Sequence, residues 1–572
     1  MTTSVLILGG YGAFGARLAI ALANEPEFDV IVAGRTLSKA AAHTARHGGR
    51  PLQVDRDGDL LHAAIAAAGA DIVVDAAGPF QSYGTDPLRV ARTALSAGAH
   101  YVDLSDDAAF TVSITELDRV ALDAGRVAIS GASSVPAVSS AAVEALSQGI
   151  TDLHLISSVI LPGNRAPRGL SVMQAILAQA GRPLRIYTGD QTRSVPGWSA
   201  PRRERVGPLR RWSCLIGAPD LALFPEHYAA RSVEFRAGLE LKIMHFGLWF
   251  MSLPIRAGLG TLTPLARPLK RIADWMERFG TDTGAMRVTV SGLTRDGASV
   301  QREWWLIAGA GKGPEIPAIP AAILCRKLAR GALDPGARPA LGLFDLSEFE
   351  VTCAPHGITF ERRETDVTPI FRQTLGPAFD RLPDQIRDLH TVLHHRTCQG
   401  LARVDRGPSL AARMICSVMG FPASGDRIPV TVTMERSGAV EHWTRNFAGR
   451  RFRSHLRSGA DGTGEIIERF GPLRFTIALR PDEAGLTWPV TGGSLLGIPL
   501  PRRLLPESVT REEVQDARAS FDVALSLPLV GPLIRYRGQL RSAGQTGAAS
   551  SDSFSDRNRP ESSMTSSTQI GR

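Results

Sequence analysis

The apolar run Val5-Leu6-Ile7-Leu8 passes directly into Gly9-Gly10-Tyr11-Gly12-Ala13-Phe14-Gly15. Gly10, Gly12 and Gly15 fit G-x-G-x-x-G, the spacing of a strand that turns tightly into a helix while its backbone approaches a diphosphate. One glycine serves the tight turn, one the close approach of phosphate, and one the packing of helix on strand. The open amides and positive end of the helix then hold the anion. A chain that begins this way is constrained to a dinucleotide-binding α/β unit.

The following residues agree. Short Val/Ile-rich runs at Val5–Leu8, Val30–Ala33, Leu52–Val54, Ile72–Asp75, Tyr101–Leu104 and Val127–Ser130 are continuously apolar, as strands covered on both faces are. Helical patterns lie between them at Phe14–Asn24, Leu37–His47, Leu60–Ala68, Pro87–Ala97 and Ala109–Asp123. The alternation predicts a Rossmann-type, doubly wound parallel sheet over residues 1–150. Gly9, Gly12 and Gly15 also fit the G-x-x-G-x-x-G of short-chain dehydrogenases. Those enzymes use a Tyr-x-x-x-Lys pair, and no tyrosine here has lysine four residues later.

The choice of cofactor turns on the end of the second strand. An NAD site places Asp or Glu about 20 residues past the motif to hold the ribose hydroxyls. Here that position is Arg35, in Gly34-Arg35-Thr36, with Ser38 and Lys39 following. An arginine pairs with a 2′-phosphate, so NADP(H) is preferred over NAD(H). The expected cofactor site comprises Gly9, Gly10, Tyr11, Gly12, Ala13, Phe14, Gly15, Gly34, Arg35, Thr36, Ser38 and Lys39. Asp55 after the third strand and Ala76, Ala77, Gly78, Pro79 and Phe80 after the fourth complete it.

At 572 residues the chain exceeds one core, and about two to four domains are expected. Over 151–365 the grammar shifts to α+β. Met286, Val288 and Val290 alternate with polar residues, Asp296-Gly297 turns the chain, and Val300, Arg302, Trp304 and Leu306 follow, which is a hairpin signature. Met173–Ala180 and Ala321–Ala329 look helical. This region reads as a substrate and dimerisation domain. Residues 366–541 open helically and continue as antiparallel strand candidates: Pro429–Arg436, Glu441–Phe447, Arg451–Leu456, Glu465–Phe470, Leu473–Leu479, Leu486–Val490 and Ser520–Leu527. They form a β-rich third domain suited to enclosing a ligand. The tail 542–572, rich in Ser, Gly, Thr and Gln, is expected to be disordered.

The balance of 65 Lys+Arg against 56 Asp+Glu favours anionic ligands or surfaces. Without a nucleic-acid-binding signature, nucleic acid is not an expected partner. Five scattered cysteines without a CxxC pair indicate neither a disulfide framework nor a metal site, and fit a cytoplasmic protein. No signal peptide is expected ahead of the strand beginning near Ser4. Ile243–Leu253 (IMHFGLWFMSL) is too short to span a bilayer. It reads first as a buried helix and second as a peripheral contact at the inner membrane surface, beside the basic segment Arg267–Arg271. His394-His395 has no metal-ligand partners at characteristic spacing and reads as a solvated helix face.

The segments Gly78-Pro79-Phe80, Tyr83-Gly84, Gly98-Ala99-His100-Tyr101-Val102-Asp103 and Ser130-Gly131-Ala132-Ser133-Ser134-Val135-Pro136, with the glycine turn, resemble the saccharopine-dehydrogenase-like reductase family. That family includes saccharopine reductases, carboxynorspermidine-type dehydrogenases and trans-acting enoyl reductases of lipid synthesis. The resemblance implies NAD(P)-linked reduction without naming a substrate. Arg92 stands where many relatives have cysteine, and Ser105-Asp106-Asp107 replaces the usual small residue-Gly-Glu. The last third is similar to an uncharacterised bacterial domain found fused behind such reductases.

Asp103 and Ser105 close the fifth strand and, with Tyr83, are the candidate proton donors; strand direction keeps His100 and Tyr101 from the site. The expectation is an NADP(H)-dependent oxidoreductase acting on a small, hydrophobic or lipid-linked substrate, as a homodimer. The alternative is a non-catalytic NADP(H)-binding, membrane-associated scaffold or redox sensor.

Overall fold

The computed structural model describes residues 2–167, 169–459 and 463–543. The N-terminal third alternates β1 (Thr3–Leu8), α1 (Gly15–Ala23), β2 (Phe28–Gly34), α2 (Leu37–His47), β3 (Arg50–Gln53), α3 (Leu61–Ala68) and β4 (Ile72–Asp75). It continues with α4 (Arg89–Ser96), β5 (His100–Asp103), α5 (Ala108–Ser113), α6 (Asp118–Asp123), β6 (Val127–Ser130) and α7 (Ser139–Ser147). The strands order as β3, β2, β1, β4, β5, β6, all parallel, with Gly336–Pro339 as a seventh strand beside β6. This is the Rossmann order, with the crevice between β1 and β4 where the winding reverses. β4 and β6 are buried throughout, which is why their sequences run apolar without alternating.

Two local readings shift. The helix expected over Ala109–Asp123 is α5 and α6, joined by a 3-10 turn at Ile114–Leu117. The third strand lies at Arg50–Gln53 rather than Leu52–Val54. The seventh strand comes from residues that the sequence places in the middle region. Gly336-Ala337-Arg338-Pro339 lacks a strand-like pattern, and β6 and the Asp118 carboxylate (Ala337 N to Oδ1, 2.8 Å) recruit it by backbone hydrogen bonds.

The middle region forms a nine-stranded mixed sheet around β7 (Ile150–Leu161). Gly284–Thr294 and Ser299–Ala308 form the expected hairpin, turning at Gly297 with φ +78°. Helices α8 (Leu170–Gln179), α9 (Asp220–His227), α10 (Lys242–Arg256) and α11 (Ala266–Trp275) accompany the sheet. One continuous apolar core joins β1 and β2 to β7, the hairpin and the helix Ile319–Ala329. α10 buries His245, Leu248, Ser252 and Ile255 while exposing Ile243 and Phe250. No helix among the described residues is long and apolar enough to cross a membrane.

Residues beyond Pro369 have a separate core. Thirteen antiparallel strands form one sheet running from Arg480–Pro481 at one edge to Ile498–Pro499 at the other. The anticipated strands are present, with Leu486–Val490 divided between Gly485–Thr487 and Val490–Leu495. His395–Arg406, Glu507–Gln515 and Gly531–Ser542 are additional strands. His394-His395 is not a solvated helix face. His395 opens a central strand and is buried, with Nδ1 3.4 Å from Glu435, and desolvation lowers both imidazole pKa values. Ser542 ends the last strand, and the rest of the expected tail from 544 lies outside the described residues. All five cysteines are free and buried.

Candidate cofactor-binding and active site

The glycine turn is held by backbone contacts that side chains would obstruct. Gly9 N donates to Ala33 O (2.9 Å) and Gly12 N to Gly9 O (2.8 Å). Gly9 has φ +73°, and a Cβ there would lie 2.8 Å from Ala76 O; one on Gly15 would lie 2.4 Å from Gly9 O. Gly9, outside the G-x-G-x-x-G triplet, is therefore the turn residue that needs the left-handed backbone, pressed against the loop after β4. Gly15 permits α1 to start directly on the turn. Among the described residues the amides of Ala13 and Phe14 make no hydrogen bond. With the N-terminal end of α1 they form the bare-amide cradle that a diphosphate requires.

The end of β2 carries positive charge without a carboxylate partner. Gly34 is buried under the Tyr11 ring, and the Tyr11 hydroxyl accepts from Thr36 N (3.1 Å). This contact fixes the backbone that leads into α2. Arg35, Thr36, Ser38 and Lys39 are exposed around the start of α2, whose first turn contains no acid and no side-chain cap. Gln53 Nε2 donates to the backbone Arg35 O (3.1 Å), and the exposed Arg35 guanidinium has no ion pair among the described residues. Asp55 is exposed, and its Oδ1 accepts from Asp57 N (3.2 Å).

β4 and β5 each end in an aspartate, and parallel register pairs Asp75 with Asp103. Asp75 is buried; it accepts from the Tyr83 hydroxyl at 3.1 Å to each oxygen and from Ala77 N at 3.0 Å. Burial raises its pKa. Tyr83 is buried against Phe80 and Phe110, with the Arg56 guanidinium stacked 3.2 Å from its ring centre. Burial, then the Asp75 charge, drives the phenol well above its ordinary range. Phe80 turns into the same aromatic cluster, so Ala76, Ala77, Gly78 and Pro79 make up the partly exposed loop beside the crevice.

Asp103 is fully buried. Its Oδ1 accepts from Ser105 N, Ser130 Oγ and Gly131 N, each at 2.9 Å. Desolvation pushes its pKa up to about 7. Strand direction does not keep Tyr101 away: its buried phenol interacts with the Asp103 carboxylate, and burial, then the Asp103 charge, drives it well above its ordinary range. Ser105 is held within the loop: its hydroxyl accepts from Asp107 N (3.1 Å) and from Thr111 Oγ1 (3.0 Å). Asp107 supplies the N-cap of α5 by accepting from Phe110 N (2.8 Å). The structure thus gathers Tyr83, Asp103 and Ser105 at the carboxyl end of the sheet and engages each within the fold.

Two residues outside the sequence expectation complete the surroundings. Ser171, at the start of α8, donates to Gly78 O (3.4 Å), bringing the middle region over the loop after β4. Asp220 is buried between the Ser139 and Ser158 hydroxyls at 3.0 and 2.9 Å, and burial pushes its pKa up to about 7. Asp75 had a legible signal, an acid ending an otherwise apolar strand. Ser171 and Asp220 have none, because contacts across more than 60 residues bring them into place.

Residues 5–129 match the family model described as saccharopine dehydrogenase NADP binding domain. Residues 382–540 match a domain of unknown function, DUF4166, which spans most of the thirteen-stranded sheet. Saccharopine dehydrogenase (L-Glu forming) from Saccharomyces cerevisiae overlaps 64% of this chain and 100% of its own, at 15% identity and TM-score 0.47. Biliverdin reductase from Synechocystis sp. PCC 6803, in complex with biliverdin and NADP+, overlaps 62% of this chain and 96% of its own, at 14% identity and TM-score 0.30. None of the curated proteins matches the chain in sequence.

Proposed function

We propose that the chain is an NADP(H)-dependent oxidoreductase acting on a small hydrophobic substrate in the crevice between the N-terminal and middle sheets. The observation that carries this reading is the exposed, acid-free start of α2 with Arg35 and Lys39, which the Thr36 N to Tyr11 hydroxyl bond (3.1 Å) ties to the glycine turn. A carboxylate there would repel a 2′-phosphate, whereas a guanidinium pairs with it through charge-assisted hydrogen bonds. The cradle fits the remainder of the group: Gly9, Gly12 and Gly15 leave no side chain over the α1 amides.

A bound nicotinamide supplies hydride transfer, and the chain's residues orient it against the substrate. Ala76–Pro79 offer backbone and small side chains to the ribose end, while Ser171 holds the facing region at that loop. Asp103 is the candidate proton-handling group, since an acid titrating near neutrality suits general acid–base work. Its burial gives the non-catalytic reading a foothold, because Tyr83 and Ser105 are also committed internally.

Arg35→Asp tests the cofactor assignment. It should weaken NADPH about 10–100-fold, as expected for one lost charge-assisted contact of about 1.5–3 kcal/mol, and leave NADH unchanged. Equal losses for both cofactors would refute it. Substrate-dependent NADPH oxidation across hydrophobic carbonyl, imine and enoyl compounds, abolished in Gly12→Val, separates the oxidoreductase from a sensor that binds NADPH without turnover.

A further inference from the structure

The thirteen-stranded sheet curls around an apolar cavity of about 210 Å³ that opens to solvent at one end. Side chains two residues apart along each strand turn toward this space, among them Leu473, Phe475 and Ile477 on one strand and Val523, Leu525 and Leu527 on another. A period of two aimed at one cavity from strands so distant in the sheet order requires strong curvature, the geometry by which antiparallel sheets enclose ligands.

The cavity has a floor and a mouth. At its deep end Leu389, Trp443 and Trp488 are buried, and the helix Asp384–His390 closes it with His390 Nε2 2.6 Å from Glu512 Oε2. Toward the other end Phe470, Leu473, Leu525 and Leu527 are half-exposed. The wall satisfies its own charge: Arg445 donates to Ser454 Oγ (2.8 Å) and pairs with Glu468 (3.2 Å). Trp488 Nε1, deep in the cavity lining, is buried without a hydrogen-bond partner. What the interior offers a ligand is apolar surface.

Register gathers a second feature at the mouth. Leu473 pairs with Leu495, Glu507 with Ser526, and Arg406 with Ile534. These pairings bring the turns holding Leu496 and Leu529 and the helix Leu410–Val418 to one end. Leu496, Ile498, Leu529, Met414 and Val418 are all strongly exposed there. Arg413, Arg427, Arg450, Arg502 and Arg503 are exposed at the same end without ion pairs among the described residues, against the acids Asp426 and Glu507. An apolar rim set with arginines at the mouth of an apolar cavity matches an amphiphile with an anionic head.

We propose that the C-terminal domain is a lipid-binding module that takes a long apolar chain into this cavity and holds its anionic head at the arginine rim. The proposal stands apart from the reductase reading, since this domain has its own core. Free fatty acids and anionic phospholipids share the required chemistry.

The full chain is titrated with 9,10-dibromostearate, and separately with phosphatidylglycerol vesicles carrying brominated acyl chains, while tryptophan fluorescence is followed. Saturable quenching at one lipid per chain is expected. Leu525→Glu, which places a charge on a half-exposed part of the wall, should weaken binding about tenfold or more with the fold retained by circular dichroism. Trp488→Phe should reduce the quenching amplitude at similar affinity, and Leu529→Glu, at a fully exposed turn, should weaken capture without a folding cost. Brominated phospholipid carried away from pelleted vesicles identifies a bilayer lipid as the ligand; binding of the free acid alone identifies a fatty acid. Non-saturating quenching, vesicle adhesion without lipid transfer, or undiminished binding by Leu525→Glu would overturn the proposal. NADPH titration in the same samples reports the other site separately.

Discussion

Replacing Gly9 by alanine isolates the contact on which the cofactor site is built. Two costs combine there. An L-residue at φ +73° costs about 1–2 kcal/mol in the left-handed region. The new Cβ would also lie 2.8 Å from Ala76 O and 2.9 Å from Ala77 Cα, both backbone atoms, and forcing such contacts apart costs about 1–3 kcal/mol. Gly98 provides the comparison: its φ is +77°, and a Cβ there meets nothing within 4 Å. Gly98→Ala should therefore lose only the conformational part, about 1–2 kcal/mol, and Gly9→Ala about 2–5 kcal/mol. Calorimetry of the transition shared by the N-terminal and middle sheets measures the difference. Isothermal titration adds the functional side: NADPH affinity should fall about tenfold or more in Gly9→Ala, a loss of about 1.4 kcal/mol, and stay unchanged in Gly98→Ala. Equal thermal shifts with NADPH binding intact in both would refute the argument that the turn rests on the loop after β4.

Asp103 ties stability to pH. Its folded pKa, about 7, is raised above the ordinary 3.8, so the folded state holds a proton that the unfolded state has released. Stability is fully present below about pH 4 and is lost as pH rises through 7, by on the order of 4 kcal/mol. Asp220 adds in the same direction. Asp103→Asn, which cannot ionise, should flatten the fall in melting temperature between pH 5 and 8; an unchanged slope would refute the assignment. Tyr83→Phe strips Asp75 of its phenolic donor and should cost about 1–3 kcal/mol in denaturant unfolding at pH 7. Gly400→Val tests the separation of the cores: a Cβ at Gly400 would lie 1.8 Å from Gln539 O. It should destabilise the C-terminal transition by at least about 1–3 kcal/mol while NADPH affinity is retained.

The N-terminal sheet was legible because its information is local. Each βα unit announces itself within about 30 residues by an apolar run, a turn and a striped helix, and Gly9–Gly15 and Arg35 lie inside those units. The strand Gly336–Pro339 escaped for the opposite reason: its partner, β6, lies about 200 residues away, and its own composition carries no pattern. His394-His395 reads as solvated because paired polar residues usually are, yet the neighbouring strand at Glu435 and the turn at Gly189 from the middle region cover His395.

The candidate catalytic residues raise a different difficulty, since the sequence shows which residues end a strand and not what those residues spend themselves on. Ser105 and Asp107 satisfy one another's loop, and Tyr83 serves Asp75. Asp103 differs because three donors converge on one of its oxygens deep in the fold. Three donors on Oδ1 favour the ionised form; burial opposes it and outweighs them, leaving an acid balanced near neutrality. A carboxyl that burial lifts to near neutrality exchanges a proton at physiological pH without a large cost either way. That balance belongs to the packed loops around Ser130 and Gly131 and is written in no short stretch of sequence.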